Sequence, residues 1–290
     1  MVSKILASLL TIFSFLSAPT YTPKPSLPPV TLLFTGDVNL ARSVNLKIAQ
    51  KQDFSWPFLK TADFLKSADF TIINLESPLT ANCPPTNSGM IFCGDIRNVA
   101  GLATAGVDLA SLANNHRDNF GPDGVASTKT TLTNNNINFI DQGQIFFQQI
   151  KGRPFAFLAY DLVGHPFDKT VFLTQLTQAR RQADYLIVIF HWGDEYTAQP
   201  NSYQQEIARL SIDNGADLVL GSHPHWVQTT QDYHDKLIVY SHGNFIFDQS
   251  WSLPTQQGIL GQYTFSNGEL ASYHLYPIQI NADYQPEMVK

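Results

Sequence analysis

Cysteine is scarce in this sequence, which contains only Cys83 and Cys93 among its 290 residues. Two cysteines are too few for a disulfide-rich scaffold, and they lack the paired spacing that zinc ribbons require. A metal site in this chain would therefore have to use His, Asp, Glu or Asn side chains, which provide nitrogen and oxygen ligands.

Charged residues are also scarce, at 14% of the sequence compared with about 25% in a typical globular protein. The 18 basic and 24 acidic residues give a formal net charge of −6. Proteins that bind nucleic acid through its phosphates rely on Lys and Arg, so we expect no nucleic-acid partner. Hydrophobic residues still reach 43%, which indicates a globular chain with a sizeable core.

The apolar run near the N-terminus, residues 5–18, is shorter than the roughly 20 residues of a typical membrane-spanning helix. It follows Lys4, and a positive charge before a short apolar run is typical of a secretory signal. We predict a signal peptide or signal anchor at 1–18, a proline-rich linker at 19–29, and an extracytoplasmic remainder that is secreted or anchored to the cell membrane. Pro19 would disfavour cleavage after Ala18, so both alternatives stay open.

The two cysteines could pair in an extracytoplasmic protein, because disulfides persist there. They flank the turn-rich residues 84–89, and closing this loop would stabilise the fold by about 3 kcal/mol on a loop-entropy argument. Two unrelated thiols are the alternative. The sequence thus predicts a Cys83–Cys93 disulfide.

Short apolar, β-branched runs recur along the chain, and each one stops at polar residues. These runs are 30–35, 70–73, 107–113, 185–190, 216–220 and 237–240. Segments with helical character separate them, at 58–66, 125–134, 173–183 and 203–214. Strands without alternation, separated by helices, favour a buried α/β sheet with helices on its faces.

The polar residues that follow these strands are expected to gather at one edge of the sheet, where ligands of open α/β sheets bind. They include two carboxylates, an amide and three imidazoles: Asp37, Glu76, Asn115, His191, His223 and His225. Mixed nitrogen and oxygen ligands suit Mn, Zn or Fe. Six ligands exceed the three or four of a single catalytic zinc, so we predict one or two divalent transition-metal ions.

Each residue also has a simpler interpretation. Asp37 could cap a helix, Glu76 could be a loop carboxylate, and His191 could be a structural histidine. His223 and His225 are harder to explain in this way, because they flank a proline in one stiff turn. The pattern as a whole favours a metal site.

Six motifs together resemble the CapA family of capsule-synthesis proteins. They are GDVNLAR (36–42), NLESPLT (74–80), SLANNH (111–116), HWGDEY (191–196), GADLVLGSHPH (215–225) and YSHGNF (240–245). The family is associated with poly-γ-glutamate capsule synthesis or export, and its domain is similar to calcineurin-like metallophosphoesterases. The resemblance therefore implies a four-layer α/β/β/α sandwich with a dinuclear metal centre, which we place at residues 30–285.

The resemblance also implies roles for single residues. Asp37, Glu76 and His225 would hold one ion, and Glu76 would bridge to a second ion held by Asn115, His191 and His223. His116 would be a catalytic acid or would stabilise a developing oxyanion; ordering of the 114–115 loop is its alternative role.

The sequence departs from the metallophosphoesterase pattern at Asn39, where a histidine is usual, and amides bind zinc less well than imidazole. His242 could be an extra ligand, could support one, or could be merely structural. Arg42, Glu195 and Asn244 are candidates for substrate binding, although Arg42 could form a salt bridge and Glu195 could orient His191.

Two functions follow from the resemblance. The first is a metal-dependent hydrolase-type site that acts on a phosphoester or a γ-glutamyl polymer. The second is a non-catalytic polymer-binding or assembly subunit of a capsule-synthesis complex. In both, the expected partners are an anionic polymer or phosphoester and membrane proteins of capsule synthesis.

Overall fold

The computed structural model describes residues 27–81 and 83–289 of the protein. The predicted signal segment, 1–18, and most of the predicted linker lie outside these residues. The backbone carbonyls of Leu27 and Pro28, at the end of the linker, accept hydrogen bonds from Arg153. Within the described ranges, no helix has the length and hydropathy that a membrane span requires.

The described residues form two large sheets and a small two-stranded one. The strands are β1 (Val30–Val38), β2 (Phe70–Leu75), β3 (Leu79–Thr80), β4 (Gly94–Asp95), β5 (Leu109–Ser111), β6 (Asn138–Ile140), β7 (Gln144–Ile150), β8 (Arg153–Asp161), β9 (Tyr185–His191), β10 (Leu218–Ser222), β11 (Thr230–Tyr233), β12 (Lys236–Val239), β13 (Asn244–Ile246), β14 (Gln257–Ser266), β15 (Glu269–Ile280) and β16 (Pro286–Met288). The α-helices are α1 (Arg42–Lys51), α2 (Ala62–Leu65), α3 (Val99–Thr104), α4 (Gly121–Asn134), α5 (Lys169–Arg180) and α6 (Ser202–Asp213). Short 3-10 helices lie at Trp56–Phe58, Ile96–Asn98 and Pro254–Gln256.

The two large sheets are mixed. The first has the order β16-β15-β14-β1-β2-β5-β6, with β13 also paired to β1, and the second has the order β11-β12-β10-β9-β8-β7. Strands β1, β2, β5 and β6 run parallel, as do β8, β9, β10 and β12, whereas the outer strands β14, β15, β16, β7 and β11 pair antiparallel. Within each sheet, the parallel strands therefore end at one common edge.

Three apolar clusters hold the sheets and helices together. Phe34 and Ile187, from different sheets, share one cluster, so it lies between the sheets. The next residue of β1 toward the N-terminus, Leu33, belongs to a second cluster with α1, α3 and α4. Val188 in turn packs with α5 and α6 in a third cluster. Because successive strand residues face opposite sides, continuous apolar strands serve two clusters at once.

The α/β class is confirmed, and the three clusters agree with helices outside two facing sheets. The predicted helix at 58–66 is wrong in detail: a 3-10 turn ends at Phe58, and only Ala62–Leu65 is α-helical. Pro57 is the second residue of that 3-10 turn, where the backbone N–H that proline lacks would have had no partner within the turn. The antiparallel strand β16 extends the sheet beyond residue 285, the predicted domain end.

Cys83 and Cys93 form a disulfide in the structure, with their Cα atoms 5.7 Å apart. The loop that it closes contributes two contacts near the predicted metal residues. The Gly89 carbonyl accepts a hydrogen bond of 3.1 Å from Arg42, and the Phe92 ring stacks on His116 with 3.8 Å between centroids. The disulfide thus restrains a loop that supports the predicted catalytic histidine.

We expect the double substitution Cys83→Ser/Cys93→Ser to lower the free energy of unfolding by about 3 kcal/mol, because the unfolded chain gains the freedom of the opened loop. Urea unfolding of both proteins measures this difference. Dithiothreitol should lower the stability of the wild type by a similar amount and leave the double variant unchanged. Equal stability of the two oxidised proteins would contradict the prediction.

Candidate metal centre

The predicted metal residues meet where parallel strands end. Asp37 is the penultimate residue of β1, Glu76 directly follows β2, His191 is the last residue of β9, and His223 directly follows β10. Asn115 comes from the loop after β5. The sequence prediction that dispersed polar residues gather at strand ends is thus reproduced by the fold, across both sheets.

Asp37 is fully buried and well supplied with hydrogen-bond donors. Its Oδ1 accepts from Asn74 Nδ2 at 2.8 Å, and its Oδ2 accepts from the backbone N–H of His223 at 3.3 Å. His225 Nδ1 also lies 3.3 Å from Oδ2. Burial alone would raise the pKa of Asp37, but the hydrogen bond and charge of His225 outweigh it and hold that pKa below its ordinary value.

Glu76 is equally buried, but neither of its carboxylate oxygens has a hydrogen-bond partner among the described residues. Burial raises the pKa of Glu76 well above its ordinary value, and the adjacent charge of Asp37 raises it further. A buried carboxylate without partners is costly unless it is protonated or meets a cation. The Nε2 atoms of His116 and His225 each lie 3.8 Å from Glu76 Oε1, so a divalent metal ion fits these residues.

The ligand atoms fall into two groups, each with members within 4.8 Å of one another. One group is Asp37, Glu76 and His191, all buried, and the other is Glu195, His223 and His225. The resemblance predicts a different division, with His225 beside Asp37 and His223 beside His191. These pairs are also close in the structure, since His225 Nδ1 lies 3.3 Å from Asp37 Oδ2 and the rings of His191 and His223 lie 4.7 Å apart. Glu195, predicted as a substrate contact or as a support for His191, is instead grouped with the other two histidines.

Amide side chains orient His191. Its Nε2 lies 3.0 Å from Asn115 Oδ1, and its Nδ1 lies 3.2 Å from Asn74 Nδ2. Asn114 in turn donates to Asn74 Oδ1 at 3.2 Å. Sequence reasoning did not assign Asn74 and Asn114 to the site, although both lie inside the motifs that it singled out. Burial, with a further contribution from the charge of His223, lowers the pKa of His191 well below its ordinary value, which keeps the imidazole neutral as metal binding requires.

The turn that carries His223 and His225 has a backbone that side chains rarely adopt. The φ angles are 97° at His223 and 57° at His225, in the left-handed region that normally favours glycine. Conformations of this kind cost of order 1–3 kcal/mol each and cluster at functional sites. The turn brings both rings inward, where His223 Nδ1 is buried without a partner among the described residues.

Asn244 holds His225 in one orientation through a hydrogen bond. Its amide nitrogen donates to Gln249 and to the Thr255 carbonyl, so its Oδ1 accepts from His225 Nδ1 at 3.0 Å. The other ring nitrogen of His225, Nε2, lies 3.8 Å from Glu76 Oε1. Each polar atom of Asn244 thus has a partner within the protein, and its predicted role in substrate binding stays a prediction.

Arg42 is likewise engaged by the protein. Its guanidinium pairs with Asp248, donates to the Gly89 carbonyl and lies 4.4 Å from the Phe92 ring centre. This is the salt bridge that the sequence left open as an alternative to substrate binding, although it is buried rather than on the surface. Its charge still acts on the site, since it lowers the pKa of Glu76 against the larger effect of burial.

His116 lies beside the metal residues. The Phe92 N–H donates to Asn119 Oδ1, which identifies that atom as an acceptor, and His116 Nδ1 therefore donates to it at 3.0 Å. The other ring nitrogen, Nε2, lies 3.8 Å from Glu76 Oε1. Burial lowers the pKa of His116, so the neutral ring presents a proton acceptor to the site.

Metallophosphoesterases usually have a histidine ligand at the position of Asn39. Neither Asn39 nor His242 takes over that role in this structure. Asn39 Oδ1 accepts from the Ala41 N–H at 2.8 Å, just before α1. His242 Nδ1 contacts the Gly221 carbonyl at 3.1 Å, and Nε2 contacts the Tyr263 hydroxyl at 2.7 Å. With both nitrogens engaged, His242 has the structural role that the sequence allowed as an alternative.

Residues 31–249 match the family of bacterial capsule synthesis proteins described as PGA_cap. This chain belongs to that family, which confirms the resemblance read from its motifs. It is 27% identical over 271 residues to the PGA biosynthesis protein CapA of Bacillus subtilis (strain 168), and the match covers 86% of this chain and 71% of that protein. It is also 27% identical over 279 residues to the capsule biosynthesis protein CapA of Bacillus anthracis, with 87% and 67% covered.

The fold has a counterpart among solved structures. The crystal structure of a hypothetical protein from Thermus thermophilus aligns with a TM-score of 0.58 at 17% sequence identity. The alignment covers 86% of this chain and 99% of that one. At this identity the likeness supports the fold alone.

The buried histidines predict a pH dependence of stability. Burial lowers the pKa of both His223 and His242 from 6.5 to about 4. Between these values the unfolded histidines bind protons that the folded ones do not, so they lower the free energy of unfolding of the metal-free protein as the pH drops from 6.5 toward 4. Glu76, with its raised pKa, acts in the opposite direction, but it is one group against several buried histidines whose pKa is lowered. Urea unfolding in EDTA across this range measures the effect.

His242→Gln removes one of the buried histidines whose pKa is lowered and should weaken the pH dependence, whatever its effect on stability at neutral pH. The exposed residue His234 provides the matched control, because His234→Gln should leave the wild-type profile in place. Identical profiles for wild type and His242→Gln would show that burial of this ring is not responsible.

Proposed function

We propose that this member of the capsule-synthesis family carries a divalent-metal centre of the hydrolase type, which acts on a phosphoester or a γ-glutamyl polymer. The observation that carries the proposal is Glu76, a buried carboxylate beside the buried Asp37 and without hydrogen-bond donors among the described residues. His191, His223 and His225 lie around this pair. A centre of this composition fits Mn, Zn or Fe.

A bound divalent ion would supply Lewis acidity toward a phosphoryl or acyl oxygen. The chain's own residues prepare the site around it. Asn244 fixes the tautomer of His225, Asn74 joins Asp37 to His191, and the strained turn holds His223 in place. His116 Nε2 faces the same space, where a neutral imidazole is suited to accept a proton and, once protonated, to return it to a leaving group.

Because the residues of the site are acidic, an anionic substrate is expected to bind through the metal ion. Asp37, Glu76 and Glu195 are acidic, and the nearby Arg42 is already paired with Asp248. An anionic substrate would therefore be repelled by the metal-free site. Bound cations reverse that local charge, which links substrate affinity to metal occupancy.

An extracytoplasmic location, secreted or membrane-anchored, is part of the proposal. The disulfide between Cys83 and Cys93 supports it, since such bonds are rare in the cytosol. The N-terminal sequence pattern supports it as well. In this location the protein could meet the exported polymer and the membrane proteins of capsule synthesis.

A non-catalytic polymer-binding or assembly subunit is the second candidate. Asn39 favours it, because this side chain accepts a hydrogen bond from Ala41 N–H where the related enzymes usually have a histidine ligand. A centre with one weakly held ion could bind an anionic polymer without turning it over. The two candidates differ in whether the metal-loaded protein hydrolyses a bond.

Metal content and hydrolysis test the proposal together. After loading with Mn²⁺ or Zn²⁺ and gel filtration, we expect at least one bound ion, and less than about half an equivalent would refute the metal centre. With the metal-loaded protein, His191→Ala and His223→Ala should lower the rate of phosphodiester or γ-glutamyl hydrolysis by about 100-fold or more.

His234→Ala removes an exposed histidine outside the site and should keep both metal and activity. Activity that survives in His191→Ala and His223→Ala would come from a contaminant. Metal binding without turnover of either substrate class would favour the non-catalytic candidate.

A further inference from the structure

The side chain of Glu195 faces His223 and His225, whereas that of its neighbour Asp194 does not. Its Oε1 lies 4.0 Å from His225 Nε2, and it forms a group of ligand atoms with His223 and His225. Its neighbour Asp194 points elsewhere and accepts a hydrogen bond of 2.8 Å from Asn201. The carboxylate of Glu195 thus faces the two histidines across the mouth of the site.

A backbone hydrogen bond joins the loop of Glu195 to the turn that carries His223 and His225. The N–H of Tyr196 donates to the carbonyl of Pro224 at 2.8 Å, so the loop after β9 is joined to the turn between His223 and His225. The Tyr196 ring lies 6.1 Å from the His225 ring. Glu195 therefore directly precedes the residue that joins its loop to the turn carrying the two histidines.

His223 and His225 each present a ring nitrogen that no hydrogen bond occupies among the described residues. Asn244 and Asp37 surround Nδ1 of His225, whereas its Nε2 lies 3.8 Å from Glu76 Oε1 and 4.0 Å from Glu195 Oε1, and Nδ1 of His223 is buried without a hydrogen-bond partner. Two imidazoles alone hold a divalent ion weakly, whereas three protein ligands are typical of a catalytic metal site. Glu195 supplies the third ligand and the negative charge.

The two groups of candidate metal ligands differ in their exposure to solvent. Asp37 and Glu76 are fully buried, whereas the side chain of Glu195 is 36% exposed. An ion at the Glu195 group would therefore be reached from solvent, while an ion at the Asp37 group would be enclosed. The outer ion would exchange more readily and would be the first to meet a substrate.

We propose that Glu195 is a direct metal ligand, which together with His223 and His225 forms the outer, solvent-facing of two ion positions. This inference rests on the proposed metal centre and adds to it the residue that completes the outer position. It replaces the predicted role of Glu195 as a substrate contact, and it divides the histidines differently from the resemblance.

Calorimetric titration of EDTA-treated protein with Mn²⁺ tests the inference without using activity. We expect the wild type to bind two ions, one tightly and one more weakly. Glu195→Gln should weaken the second ion by at least about 10-fold and leave the first unchanged. Asp194→Asn removes the same charge one residue away and should titrate like the wild type.

The titration results distinguish the proposed metal centre from the proposed ligand role of Glu195. No binding by the wild type would refute the proposed metal centre itself. Two ions in the wild type and in Glu195→Gln, with unchanged affinities, would refute only the role of Glu195. Equal weakening in Asp194→Asn and Glu195→Gln would also refute it, because the effect would then be one of general charge. Thermal unfolding in EDTA checks that both variants remain folded.

Discussion

The buried pair of Asp37 and Glu76 is the constraint on which the site depends. Hydrogen-bond donors stabilise buried carboxylates, and Glu76 has none among the described residues. Without a cation, Glu76 is driven toward its protonated form, while Asp37 stays ionised through His225. A metal ion would resolve this conflict, since it would allow both carboxylates to be charged in an interior where unpaired charge is very costly.

The two-sheet architecture explains how such a site can be assembled. Ligands separated by more than a hundred residues in the chain meet because parallel strands from both sheets end close together. The strands themselves are rigid, because consecutive residues such as Leu33 and Phe34 belong to different apolar clusters. This rigidity supports the left-handed backbone at His223 and His225, which a less packed structure would relax.

Much of the fold and part of the site could be predicted from the sequence. The apolar runs that lead to Asp37, Glu76, His191 and His223 are parallel strands, because continuous hydrophobic residues identify strands buried on both faces. Antiparallel strands such as β15 were missed, since their exposed residues dilute the apolar pattern.

Side-chain partners were the less predictable part. Residue type alone could not show that Asn244 holds His225, that Arg42 pairs with Asp248, or that Glu195 faces His223. These contacts depend on loop positions that only the folded chain defines. The motifs did contain most of the residues concerned, so they identified where to look but not which atoms meet.

Anomalous diffraction from crystals grown with Mn²⁺ or Zn²⁺ tests the account most directly. The account predicts a metal peak bonded to the carboxylates of Glu76 and Asp37, with His191 as a nitrogen ligand. A site that stays free of metal, with Glu76 present as a neutral acid hydrogen-bonded to water or to another residue, would contradict it.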